Sequence, residues 1–264
     1  MSAKWNDATA RFRPIADLPG KRLVAISITA VAGAAHLFSQ VGADRFFGNG
    51  SGVRYSGHTL TDCEFNGCNI VRHVGSPQNL LEHLNIVRAS QVNCSISEAT
   101  IRDVRLTDLK RLGSAPLFLW GCLYERVTLS GRISALKINR NIGATNAEHQ
   151  RAHDASTVQF YSKSDWALDI SAAEFPGGVT FEAIPGDKVR RDPNRQVLVT
   201  RDALAQADWR NIDFDGTAID MALSWFEQGS LFDNVVLVER SDRKWAKRDQ
   251  AVLRKLCDAG IAFA

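Results

Sequence analysis

The chain has 264 residues, 45% of them apolar and 23% charged, a composition ordinary for a soluble protein that can bury a large core. Its 32 basic and 29 acidic residues leave a formal net charge of +3. That surplus is too mild to point to nucleic acid, and neither a nucleic-acid nor a membrane partner is expected.

Met1 to Gly20 has no clear period and holds Pro14 and Pro19, so an irregular arm is expected. Lys21 and Arg22 precede an apolar run from Leu23 to Ala35 that has the look of a signal-peptide core. Against that, the segment before it is long and carries Asp7 and Asp17, and the run is too short to span a bilayer. A strand or helix covering the open end of a repeat stack is the preferred reading, with residues 1–52 as arm and cap. Gly48 to Gly57 is glycine-rich. A phosphate-cradling loop would need a strand before it and a helix after it, whereas this stretch leads into repeats and reads as a turn.

The repeats are clearest from Val92 to Leu109. Small or apolar residues fall at Cys94, Ala99 and Val104, and branched apolar residues two places later at Ile96, Ile101 and Leu106. The period is five, neither the 3.6 of a helix nor a long run of the 2.0 of a flat strand. The same slots recur at Cys63/Phe65 and Cys68/Ile70, and again at Ala207/Trp209, Ile212/Phe214 and Thr217/Ile219. Weaker units sit at Cys122/Tyr124, Val127/Leu129, Leu136/Ile138, Leu168/Ile170, Ala173/Phe175, Ser230/Phe232 and Val235/Leu237. The unit resembles that of the pentapeptide-repeat family: a small residue, Asp or Asn, Leu or Phe, then two variable residues. The segment ADWRN from Ala207 fits it with Trp in the Leu/Phe slot. The resemblance implies a mainly β chain, a right-handed four-sided parallel β-helix, here with irregular insertions and a C-terminal capping α-helix. The β-helix would cover residues 53–238, with insertions at about 139–157 and 186–205, and the cap residues 239–264, all as one continuous domain. A β-sandwich with similarly spaced short strands is the alternative.

Four of the five cysteines (Cys63, Cys68, Cys94 and Cys122, but not Cys257) occupy the small slot. Their spacing is not that of a zinc knuckle, so they are expected inside, reduced, in a cytoplasmic protein. Within 139–157, NAEHQRAHDA reads as helix and sets His149 and His153 on one face. Glu148 or Asp154 could add a metal ligand, but no metal or other cofactor is expected. Gly186 to Gln196 is a polar loop whose Lys188, Arg190, Arg191 and Arg195 could grip an acidic partner; these four form the candidate partner-binding set. Asp213 and Asp215 flank Phe214, and as outward carboxylates on a β-helix they could do acid–base work on a polysaccharide. At the end of the chain, Asp242 or Ser241 is expected to cap a helix. Trp245, Asp249, Val252 and Leu256 would form its inward stripe, Gly260 its stop, and the helix would bury the last coil.

No nucleophile with a base, no phosphate loop and no convincing metal set is visible. The sequence therefore points to a non-catalytic protein-binding solenoid. Its most specific form is a bacterial immunity protein, cytoplasmic, that neutralises a cognate toxin by binding it. The alternatives are a polysaccharide-cleaving β-helix enzyme and a gyrase-binding family member; the acidic surface that the resemblance implies for the latter conflicts with a net charge of +3.

Overall fold

A computed structural model describes residues 22–24, 27–29, 54–56, 59–62, 64–66, 69–70, 72, 78–142 and 147–264. Strands β1 (Arg22–Val24) and β2 (Ser27–Thr29) come first. Strands β3 (Arg54–Ser56), β4 (Thr59–Thr61), β5 (Glu64–Asn66) and β6 (Asn69–Ile70) follow, each beginning five residues after the last. Next are β7 (Asn79–Glu82), β8 (Asn85–Val92) and β9 (Ser95–Ser97), then β10 (Ala99–Arg102), β11 (Arg105–Arg111) and β12 (Leu117–Trp120). Strands β13 (Leu123–Glu125), β14 (Val127–Ile133) and β15 (Leu136–Asn139) complete the series. All these strands pair in parallel, and from β7 to β15 they are dealt out in rotation to three sheets; β1, β2, β4 and β5 all belong to the second. One sheet runs β3-β7-β10-β13, a second β4-β8-β11-β14 and a third β6-β9-β12-β15. Asn79 lies beside Ala99 and Asn85 beside Arg105, so one passage through the sheets takes twenty residues.

Backbone conformation accounts for the period of five. His83, Arg88, Asn93, Glu98, Asp103 and Asp108 all have φ between 50° and 57°, the left-handed region that L residues enter at a cost of roughly 1–2 kcal/mol. Each is the polar residue just before a buried apolar one, from Leu84 and Ala89 to Val104 and Leu109, and each turns the chain. Gly121, Arg126 and Gly131 continue the series one passage later. Neighbouring corners stack. The backbone N–H of Glu98 donates to the Trp120 carbonyl at 2.7 Å and that of Asp103 to the Glu125 carbonyl at 3.0 Å. The side chains form charge ladders. Arg88 holds Asp62 through two 2.7 Å bonds, and Arg126 holds Asp103 at 2.7 and 2.9 Å. At Gly131 the side chain of Asp108 fills the space a Cβ would need, 2.3 Å away.

Between corners the branched slots line up as inward columns: Leu81–Ile101–Tyr124, Ile86–Leu106–Leu129 and Ile96–Leu119–Ile138. Ile101 is 7% exposed and Ile138 1%; Ile86, Ile96 and Leu106 are only partly buried but pack on this core. Cys94 and Cys122 are buried free thiols. Each donates to a carbonyl of the preceding passage, Cys94 to Phe65 at 3.3 Å and Cys122 to Ile96 at 3.5 Å. Burial pushes the Cys122 thiol up to about 12. Cys63 and Cys68 lie outside the described residues, as do the arm before Arg22 and most of the glycine-rich stretch. The apolar run after Arg22 contributes β1 and β2, which pair in parallel with β4 and β5.

The helix expected near His149 is α1 (Ala147–Lys163). It covers the edge of the first sheet: its Tyr161 hydroxyl accepts the backbone N–H of Tyr124 in β13 at 3.2 Å, a group an open edge would leave unpaired. The chain then rejoins the second sheet through β16 (Leu168–Glu174) and β17 (Val189–Arg190).

Parallel pairing ends at Arg190, which corrects the expected extent of the repeats. Strand β18 (Gln196–Thr200) is the centre of an antiparallel sheet with β19 (Asn234–Val238) and β20 (Ala262–Phe263). Residues 207–219, expected as repeats, contain no strand: Trp209–Asn211 is a 3₁₀ turn, and α3 (Ile219–Gly229) follows α2 (Arg201–Gln206). Short acids decide this locally. Asp208 accepts from the Asn211 amide at 2.6 Å, and Asp213 from the backbone N–H of Asp215 at 2.9 Å, offering the backbone turns in place of a ladder. Trp209 and Phe214 then meet edge to face at 6.1 Å rather than entering a column.

Helix α4 (Ala246–Asp258) is where a C-terminal helix was expected, but it packs on β18 and β20 rather than on a last coil. Its N-cap is Trp245, without a side-chain cap bond; Asp242 instead accepts the Lys244 N–H in the preceding turn at 2.9 Å. Asp249, Val252 and Leu256 are buried as expected, together with Leu253. Gly260, at φ 71°, ends the helix. The Gln196 side chain donates to the Ile170 carbonyl at 3.0 Å and joins this C-terminal part to the parallel sheets.

Candidate binding surface

The four cations of the 186–196 segment are not displayed on a protruding loop. Gly186–Lys188 is a 3₁₀ turn that runs straight into β17. Arg195 pairs with Glu239 at 2.8 Å, and Arg190 lies over the Trp166 ring at 4.2 Å. Arg191 donates to the Ala264 carbonyl at 3.1 Å, and Lys188 is half-buried. The segment crosses from the parallel sheets to the C-terminal part; Arg191 ties the two together, Arg195 closes the end of the β18–β19 pair, and Arg190 is exposed beside Trp166.

Asp213 and Asp215 are exposed but sit in the turn before α3, off the parallel sheets. Asp213 faces Lys255 and Asp215 faces Arg248, each at 3.6 Å. The Asp215 backbone N–H, with Lys255, holds the Asp213 carboxyl below the usual range. A general acid needs the opposite shift, whereas the ionised partner of a carboxylate pair does not. His149 and His153 share one face of α1, as expected, and that face meets a corner. The His149 imidazole is 3.5 Å from buried Glu98, which also binds Arg72 at 3.3 Å, and buried His153 lies against Gly121. Burial lowers the His153 pKa. The group holds a helix to the sheet stack.

A different set of side chains gathers along one side of the molecule. On β12 the inward Leu119 is flanked by Phe118 and Trp120, which stack at 5.5 Å on the outer face of the third sheet. Phe118 is in register with Lys137 of β15. The Lys137 ammonium lies 3.5 Å over the Trp225 ring of α3, where burial holds it below the usual lysine range, with Glu182 opposing. From there a cleft of about 260 Å³ runs between the parallel sheets and the C-terminal part, past Met221 and Ala222, to Arg240 and Asp249. Asp249 is 1% exposed and takes two bonds from the Arg240 guanidinium, at 2.7 and 2.6 Å. Beyond it the Trp245 ring is faced by Arg240 at 4.0 Å, Lys244 at 4.9 Å and Arg248 at 5.6 Å.

Aromatic residues, Met and Arg in one stretch are the composition that marks protein interfaces. Sequence reasoning missed this surface because it joins four segments separated along the chain. The one local signal was LFLW at Leu117, with aromatics on both sides of an inward residue. Trp245, assigned to the buried stripe of α4, is half-buried and belongs here instead. Among the described residues no helix is long and apolar enough to cross a membrane. Comparison with protein-family models, with curated proteins and with solved structures finds no match to this chain.

Proposed function

We propose that the chain is a solenoid of the pentapeptide-repeat type that acts by binding another protein, without catalysis. The parallel strands dealt to three sheets in rotation, with left-handed corners at every fifth residue from His83 to Asp108, support the solenoid reading. The observation that carries the binding role is the continuous surface from Phe118 and Trp120 through Lys137 and Trp225 to Trp245. It stands on a scaffold with inward hydrophobic columns and outward ion-pair ladders, so little side-chain freedom is lost when it docks. In its most specific form the reading is of a bacterial immunity protein that works in the cytoplasm and blocks a cognate toxin by covering it.

The test is copurification from the native host, with the stoichiometry of the captured protein measured. A blocking protein holds its partner near one to one. Replacing Phe118 and Trp120 together by Ser should weaken capture at least thirtyfold, the loss of one hot spot of about 2 kcal/mol, with the melting temperature nearly unchanged. Changing Asp213 and Asp215 together to Asn should leave capture intact. Substoichiometric turnover of a glycan, lost with either Asp, would establish the enzyme alternative instead.

A further inference from the structure

We infer that the partner presents an acidic protein surface and that it docks on the first turn of α4, around Trp245; this rests on the protein-binding reading above. Arg243, Lys244, Lys247 and Arg248 are all exposed and lie within six positions. The acids nearby do not cancel them. Asp249 is occupied by Arg240. Asp242 is turned to the Lys244 N–H. Asp215 reaches Arg248 only across 3.6 Å between half-exposed groups, a weak pair in water. Among the described residues, Arg243 and Lys247 make no side-chain hydrogen bond or ion pair.

Trp245 orders this patch. Three cations within 5.6 Å of its ring are held by attraction to its π face, so part of the entropy of fixing long side chains is lost before a partner arrives. The same contacts decide which polyanion fits. Single-stranded nucleic acid is gripped by stacking bases on open aromatic faces, whereas Trp245 is half-buried and already has three cations against its ring. The patch also continues into the apolar cleft with Met221 and Trp225, a join that suits an acidic protein surface with an apolar neighbour.

The experiment measures fluorescence anisotropy of a labelled polyglutamate peptide and of a single-stranded oligothymidylate of matched charge. Each is titrated with wild type, with Arg243→Glu/Lys247→Glu and with Lys188→Glu/Arg190→Glu. The expected result is that wild type binds polyglutamate more tightly than the oligonucleotide. The α4 variant should lose about tenfold or more, the 188/190 variant should match wild type, and binding should weaken with added salt as charge is screened. Tighter binding of the oligonucleotide would overturn the assignment in favour of nucleic acid. Loss confined to the 188/190 variant would overturn the location on α4 but leave protein binding standing. Failure of wild type to bind polyglutamate would overturn the acidic partner, and copurification would then decide the protein-binding reading by itself.

Discussion

Ile101 sits between Leu81 and Tyr124 in an inward column and is 7% exposed. Truncating it to Ala removes buried methyl groups and leaves a cavity that rigid neighbours cannot fill, so a loss of about 2–5 kcal/mol in denaturant unfolding is expected. A loss under about 0.5 kcal/mol would place the side chain at the surface. The thiols make a second test at this scale. With its pKa pushed up to about 12 and only 5% of its surface exposed, Cys122 should resist iodoacetamide at mildly alkaline pH in the native protein and react on unfolding. Peptide mass spectrometry reads both states; rapid native labelling would contradict the inward slot. These slots were legible because a five-residue alternation of small and branched residues is a strong signal even without an alignment. The corners were not. Arg88, Glu98 and Arg126 give no hint in their chemistry of a left-handed backbone, which only the stacking of successive passages imposes.

The elements add a steric and an electrostatic test. Gly121 has φ 55°, and a Cβ there would come within 2.5 Å of Ile142 and 3.1 Å of His153. Gly121→Ala should therefore cost more than the 1–2 kcal/mol of the left-handed conformation alone and should loosen α1 first, visible as faster amide exchange over residues 147–163. His153 adds a pH dependence. Burial, with Arg72 and His149, lowers its folded pKa below 6.5, against Glu98 and Asp154. As pH falls the unfolded chain takes up the proton first, so the contribution is complete above about pH 6.5 and is lost as pH drops through the folded value. The Asp103 carboxyl, lowered by Arg126, gives way later, as pH falls below about 4. His153→Gln should flatten the earlier decline, measured as melting temperature between about pH 7 and 5; an unchanged profile would assign the decline to other groups. Helix α1 was legible from its composition. Its role at the edge of β13 was not, because that depends on one hydroxyl of Tyr161 thirty-seven positions from Tyr124.

At the scale of the whole molecule, the mainly parallel-strand architecture could be read from the period, but the point where it stops could not. The apolar spacing at Ala207, Ile212 and Thr217 matches that at Cys94, Ala99 and Val104. Local turns at Asp208 and Asp213 divert it into a 3₁₀ turn and helices packed on an antiparallel sheet. The same change of architecture creates the cleft, since only where α3 and α4 meet the end of the parallel sheets do Lys137, Trp225 and Arg240 share one surface. The four cations singled out from sequence lie in the crossing between the two parts; of these Arg191 reaches across it, to the Ala264 carbonyl, while Arg190 and Arg195 each make their contact within one part. Hydrogen–deuterium exchange on the chain, alone and with its copurified partner, tests that account most directly. Protection is predicted over residues 117–120, 137–139, 221–225 and 240–248 together; protection confined to residues 186–195, or to one flat sheet away from α4, would contradict it.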